Sequence, residues 1–162
     1  MSQQNSGQMI QVPNKLGAKV GGGGRLGAID PAAIAKAEAA LKSLSGNFAQ
    51  WLADEITKLD GARQEVKTQG VSADTMEALY LRSHDLKGLG ATYGFPIITR
   101  IAGSLCRLID DKDKRVGAPM PLVDAHIDAI KAAVRDDIKD DEHPVGKILV
   151  QELEARVAET GA

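Results

Sequence analysis

The 162-residue sequence predicts an all-α protein: an up-and-down antiparallel helix bundle with a four-helix core and extra N- and C-terminal helices. Three observations support this class. Apolar residues recur at spacings of three and four from residue 30 onward, and no stretch alternates like a strand. Aromatic residues make up only 3% of the chain, so small aliphatic side chains supply most of the core. Short polar turns separate the helical runs, as in bundles of antiparallel neighbours.

The first 29 residues are predicted to be a disordered tail rich in Gly and Gln. They hold three cations and no acid, and they include the run Gly21-Gly22-Gly23-Gly24. Such a segment cannot bury enough apolar surface to offset the entropy cost of ordering. No Gly-Lys-Ser/Thr follows the glycines, so we interpret them as a linker and not as a phosphate-binding loop. The predicted organisation is a tail (1–29), a helical bundle (30–142) and a C-terminal amphipathic helix (143–162).

Capping and breaking residues set the first predicted helix boundaries. Asp30-Pro31 offers an N-cap followed by proline at the first helical position. The triplet Ser45-Gly46-Asn47 is expected to break this helix, whose apolar stripe is Ile34, Leu41 and Leu44. A second helix then runs to Gly70, with Phe48 and Trp51 predicted to lie in the core.

The remaining boundaries follow in the same way. Ser72 can cap a third helix that is expected to end at Gly94, and Pro96 opens a fourth. A charged loop precedes a fifth helix, and a final helix follows His143-Pro144. The apolar residues of these last three helices are Ile98, Ile101, Leu105 and Leu108; Val123, Ile127, Ile130, Val134 and Ile138; and Val145, Ile148, Leu149, Leu153 and Val157.

Charge and composition exclude several classes of partner. The net charge is −2, and because residues 1–29 carry +3, the remainder carries −5, which argues against nucleic acid. No apolar run approaches the roughly 18 residues of a membrane span. The single cysteine, Cys106, rules out an internal disulfide framework, and we expect it to pack in the core of a cytoplasmic protein.

His84 projects away from the apolar side of its predicted helix. At about 100° per residue, Leu79, Leu86, Leu89 and Tyr93 fall about 140–220° from the histidine. A histidine kept for packing would lie among those residues. The residues that share its own face are Glu77, Leu81, Lys87, Gly88 and Ala91.

These residue types suit phosphoryl transfer onto histidine. The transfer requires a neutral, exposed imidazole nitrogen, and histidine in water is largely neutral at about pH 7. Lys87, three residues on, can balance the charge of an added phosphoryl group. Gly88 adds no side chain beside the imidazole, so a partner protein can approach closely. We expect that partner to dock on a surface formed by Glu77, Leu81, Gly88, Ala91 and Gly94.

The run Ser83-His84-Asp85-Leu86-Lys87-Gly88, with Gly94 ten residues after the histidine, resembles the motif of histidine-containing phosphotransfer (HPt) domains. The resemblance covers about residues 47–140. It implies that His84 is the phosphoacceptor, Lys87 the charge-balancing residue and Gly88 the clearance position. The chain departs from the family at Leu89, where a small hydroxyl residue is common, and at 106–110, where no acid or amide matches cleanly.

Members of this family relay phosphoryl groups between aspartates of receiver domains, or between a kinase and a receiver. The resemblance therefore implies two partners: a response-regulator receiver domain and a sensor or hybrid histidine kinase. The chain has no ATP-binding half, so the phosphoryl group must come from another protein, and whether the chain counts as an enzyme is open. No cofactor of its own is expected, and Mg²⁺ is expected only in the partner receiver domain.

Other interpretations of the same residues are open. His84 can be a surface histidine without a role. A metal-dependent phosphohydrolase dyad at His84-Asp85 is disfavoured, because adjacent helical residues diverge by about 100°. His126, predicted to be a packed edge residue, and His143 lie far along the chain, so no metal site is expected. The main alternative is a non-catalytic helical adaptor for a receiver or kinase. With several helices in residues 30–140, a monomer is the expected state.

Overall fold

The computed structural model describes residues 30–162, and this part of the chain is helical without a strand. The all-α class predicted from the sequence is therefore confirmed for these residues. The predicted tail, 1–29, lies outside the described residues. The five α-helices are α1 (Pro31–Gln69), α2 (Ala73–Leu89), α3 (Pro96–Leu108), α4 (Met120–Arg135) and α5 (Pro144–Glu159), and a 3-10 turn spans Arg115–Gly117.

Helix α1 runs without interruption through Ser45-Gly46-Asn47, so the predicted break at this triplet is wrong. A glycine inside a helix costs only about 1 kcal/mol relative to alanine, and the Ala- and Leu-rich segments on either side outweigh that cost. Residues 30–140 consequently hold four α-helices instead of the five expected. The end of α1 is as predicted, because Gly70 takes a φ of +93° that L side chains rarely adopt.

The described residues belong to two units that are separated between residues 43 and 44. In the described part of the first unit every residue is exposed, including Ile34 and Leu41 of the predicted apolar stripe. The second unit contains the hydrophobic core. Its fully buried large side chains are Leu52, Leu59, Met76, Leu79, Leu86, Ile97, Ile98, Ile101, Leu105, Ile109, Ile127 and Ile130.

Helix α3 occupies the centre of the second unit, where it packs against α2, α4 and α5. Residues 44–69 of α1 are tied to α4 by a buried arginine, Arg63, whose guanidinium donates to Asp60 at 2.6 Å and to Asp128 at 2.7 Å. Lys131 of α4 adds a bond of 2.9 Å to the same Asp60. Because each charge has an ionic partner, this arginine can be buried between the helices.

Helix α5 packs on α3 and α4, and Val150, Leu153 and Val157 are its buried apolar residues. Two residues of its predicted apolar face, Val145 and Ile148, are exposed instead. Among the described residues, no helix combines the length and the apolar character needed to cross a membrane.

Helix α2 ends at Leu89, five residues before the predicted end at Gly94. Gly90 is still helical in its backbone, and it approaches α3 so closely that a Cβ would lie 2.6 Å from the backbone nitrogen of Thr99. The hydroxyl of Thr99 also accepts a hydrogen bond of 2.8 Å from the backbone N–H of Ala91. The chain therefore leaves the helix at Gly90 and turns into α3, which runs in the opposite direction.

Candidate functional site

Helix α2 presents His84 to solvent because its other side is fixed in the core. The helix begins at a capping box, in which Ser72 Oγ accepts from the N–H of Thr75 at 3.1 Å and Thr75 Oγ1 accepts from the N–H of Ser72 at 2.9 Å. Leu79 and Leu86 are buried completely. His84 is exposed, as its position on the predicted helix indicates.

The other predicted site residues on α2 are also exposed: Glu77, Leu81, Lys87 and Gly88. Leu81 retains 54% of its accessible surface, which makes it one of the exposed large apolar side chains of the described chain. Ala91 and Gly94 are exposed too, but they lie in the turn after α2 and not on the helix itself. Gly94 adopts a φ of +90°, which explains a glycine at this position.

A shallow groove beside His84 is formed by α1 and α2 together. Its α2 side comprises Arg82, His84, Asp85, Gly88 and Leu89, and its α1 side comprises Glu55 and Lys58. Glu55 and Lys58 form an ion pair of 2.9 Å along α1. Glu55 and Lys58 are not among the site residues predicted from the sequence, because nothing in their local pattern indicates which helix α1 faces.

Gly88 leaves one flank of this groove open. No heavy atom lies within 4 Å of the position that a Cβ on Gly88 would occupy, beyond its own helix. The backbone of Gly88 is helical, so neither a turn nor close packing requires a glycine here. A larger side chain would therefore fit here, and it would project beside the groove that His84 lines.

Lys87 lies on the opposite flank of His84, against α3. Its Cδ and Cε atoms are 3.8 Å from where a Cβ on Gly103 would lie, so the aliphatic part of the lysine crosses α3 at that glycine. The lysine charge also acts on Cys106: burial raises the pKa of that thiol to about 11, and Lys87 opposes part of the rise. Cys106 is buried as predicted, with a protonated thiol at neutral pH.

Tyr80, one turn before His84, lies beside the imidazole and is not among the site residues predicted from the sequence. Its ring centroid lies 6.2 Å from that of the imidazole, with the two planes inclined by 45°. Its hydroxyl donates to Asp110 at 3.0 Å, and this bond is the main cause that raises the pKa of the phenol above its usual value. Asp110 lies just after the end of α3, so its hydrogen bond to Tyr80 shows that the tyrosine faces that helix.

The two other histidines each bond to partners of their own in the described structure. His126 is fully buried between α3 and α4. It is packed as predicted, but the predicted position at an edge is wrong. His143 caps α5, where its Nδ1 accepts from the N–H of Val145 at 3.1 Å. Within residues 30–162, no group of three or more His, Cys, Asp or Glu side chains is arranged to hold a metal ion.

No protein-family model, no characterised protein and no solved structure shows a significant match to this chain.

Proposed function

We propose that this chain is a histidine phosphotransfer protein of a two-component phosphorelay. His84 accepts a phosphoryl group and exchanges it with the aspartate of a response-regulator receiver domain. The observation that carries the proposal is the exposed imidazole of His84 on α2, with the open flank of Gly88 on one side and Lys87 on the other. The motif resemblance at residues 83–88 points to the same chemistry.

The proposed step is a displacement at phosphorus. An imidazole nitrogen of His84 attacks the phosphorus of the receiver's aspartyl phosphate, the N–P bond forms, and the P–O bond to the aspartate breaks. The carboxylate leaves with the electron pair, and the reverse step returns the phosphoryl group. The chain needs no pocket of its own, because the receiver contributes Mg²⁺ and the rest of the active site.

We also infer that residues 44–69 of α1 join α2, α3 and α4 in the four-helix core of an up-and-down bundle. Contacts of α3 with α2 and α4, and the ion pairs of Arg63 between α1 and α4, support this arrangement. The first predicted helix is then an N-terminal extension of α1, and α5 is the extra C-terminal helix. A sensor or hybrid kinase would supply the phosphoryl group in the cytoplasm.

The direct test uses the full chain and a panel of receiver domains labelled on aspartate with acetyl phosphate and Mg²⁺. Label is expected to pass to His84 as an acid-labile phosphohistidine, and His84→Gln is expected to abolish it while the melting temperature stays unchanged. His143→Gln, a second exposed histidine, is the matched control and should accept label normally.

Two results would contradict the proposal. Full labelling of His84→Gln would place the acceptor elsewhere in the chain. Tight binding of a receiver to both wild type and His84→Gln, with no label on either, would instead support the adaptor interpretation.

A further inference from the structure

Tyr80 connects the outward face of α2 to the end of α3. It lies four residues before His84, so the two rings are neighbours on one side of the helix, 6.2 Å apart. Tyr80 is partly buried, whereas His84 is exposed. A helical side chain leans back over the preceding turn, which directs the imidazole toward the tyrosine ring.

The tyrosine ring itself is held at two further points. Its hydroxyl donates to the Asp110 carboxylate at 3.0 Å, and the guanidinium carbon of Arg115 lies 4.5 Å from its ring centroid. Only 6% of the surface of Arg115 is exposed, and its Nη2 donates to the backbone carbonyl of Asp110 at 3.0 Å. Asp110 and Arg115 thus hold both the edge and the face of one aromatic ring.

The buried guanidinium of Arg115 lies over the face of this ring. Its Nε is buried and has no hydrogen-bond partner among the described residues. The π face of Tyr80 lies 4.5 Å from the guanidinium carbon and attracts this cation, because the ring carries negative charge on its faces.

We propose that Tyr80 is a positioning residue for His84. An exposed histidine samples several staggered side-chain rotamers, and in-line attack on a receiver-bound phosphoryl group is productive from few of them. A fixed ring one turn away removes space on one side of the imidazole and favours the orientations that face the partner. This inference rests on the proposed phosphotransfer function.

The test compares two phosphoryl donors on the full-length protein. Phosphoramidate is small and can approach the imidazole from any direction, so Tyr80→Leu should change its reaction with His84 by less than about twofold. A phosphorylated receiver domain approaches in one orientation, so the same variant should accept label about tenfold more slowly. Tyr80→Phe keeps the ring and should recover most of the rate.

A spectroscopic measurement reports the contact without any transfer. The NMR signal of the His84 Cε1 proton should move in Tyr80→Leu, because the ring current of the tyrosine is lost, and should move little in Tyr80→Phe. Trp51→Leu is the matched control, since it also removes an exposed aromatic ring, which contacts Phe48 and Tyr93, and should leave this signal in place.

The outcomes separate this inference from the proposed function. If the wild-type chain takes label from phosphoramidate but from no receiver, the proposed function fails, and positioning fails with it. If a receiver labels wild type and Tyr80→Leu at equal rates, only the positioning role is overturned. An unmoved His84 signal in Tyr80→Leu would overturn it as well.

Discussion

Ser104 of α3 and His126 of α4 share a hydrogen bond of 3.0 Å inside the core. The other ring nitrogen of His126, Nδ1, lies 2.7 Å from the carbonyl oxygen of Leu122. A carbonyl can only accept, so Nδ1 carries the proton and Nε2 accepts from the Ser104 hydroxyl. The pair thus joins two helices through a neutral histidine.

Because of this pair, we expect the free energy of unfolding to fall in mild acid. Burial lowers the pKa of His126, and the bond to Leu122 opposes only part of that effect. The unfolded chain therefore binds a proton at a higher pH than the folded one. Below about pH 6.5 the free energy of unfolding should decrease until the pH passes the folded pKa, and above that range the contribution is complete.

Urea unfolding at several pH values between about 7 and 5 measures this effect. His126→Gln removes the titration while it keeps a donor and an acceptor, so its stability should depend less on pH than that of wild type. If wild type and His126→Gln lose equal stability between these pH values, groups other than His126 cause the acid sensitivity.

Gly88→Gln should slow transfer from a receiver while the fold remains intact. Open space surrounds the position, so glutamine fits and gains helix propensity, about 0.5–1 kcal/mol relative to glycine. The new side chain nevertheless occupies the flank of His84 that a partner must approach. Gly61→Gln is the control, because Gly61 is also an exposed helical glycine without neighbours. Both variants should melt higher, and normal transfer by Gly88→Gln would contradict the clearance role.

Lys87→Ala should slow phosphoryl transfer only partly. An ammonium group in a solvated site contributes about 1 kcal/mol, which corresponds to about a fivefold change in rate. Lys58→Ala is the control, since Lys58 also lies beside His84 but is paired with Glu55 at 2.9 Å. Stopped-flow transfer measurements should show the larger effect for Lys87. A larger effect for Lys58 would move the charge-balancing role to α1.

Leu81→Asp should weaken receiver binding at an unchanged melting temperature. With 54% of its surface exposed, Leu81 contributes little to the core, so the substitution has a small cost in stability. Ile148→Asp on α5 is the control, because Ile148 is 61% exposed on another helix and should leave affinity unchanged. Calorimetric titration with an unphosphorylated receiver measures both. Loss of binding only in Ile148→Asp would favour an adaptor that docks through its C-terminal helix.

The sequence predicts the local features of this fold well. The cap at Ser72, the stop at Gly70 and the start at Pro96 depend on neighbouring residues alone, and the structure confirms each of them. The exposure of His84 follows from helical spacing, and it is confirmed as well.

The errors arise where distant residues decide the outcome. At the end of α2 the N–H of Ala91 donates to the hydroxyl of Thr99 on α3, a contact that no local pattern shows. Trp51 is predicted to lie in the core, yet it is 44% exposed and packs its ring beside Phe48 and Tyr93. Tyr80 has no apparent role until Asp110 and Arg115 are seen around it.

The division of α2 into a buried side and an outward side allows the two sides to change independently over evolution. Leu79 and Leu86 are constrained by packing, and any replacement there would change stability. Glu77 and Leu81 reach solvent, where substitutions usually alter stability by less than about 0.5 kcal/mol. A lineage can therefore exchange its outward residues and acquire a different partner without a new fold.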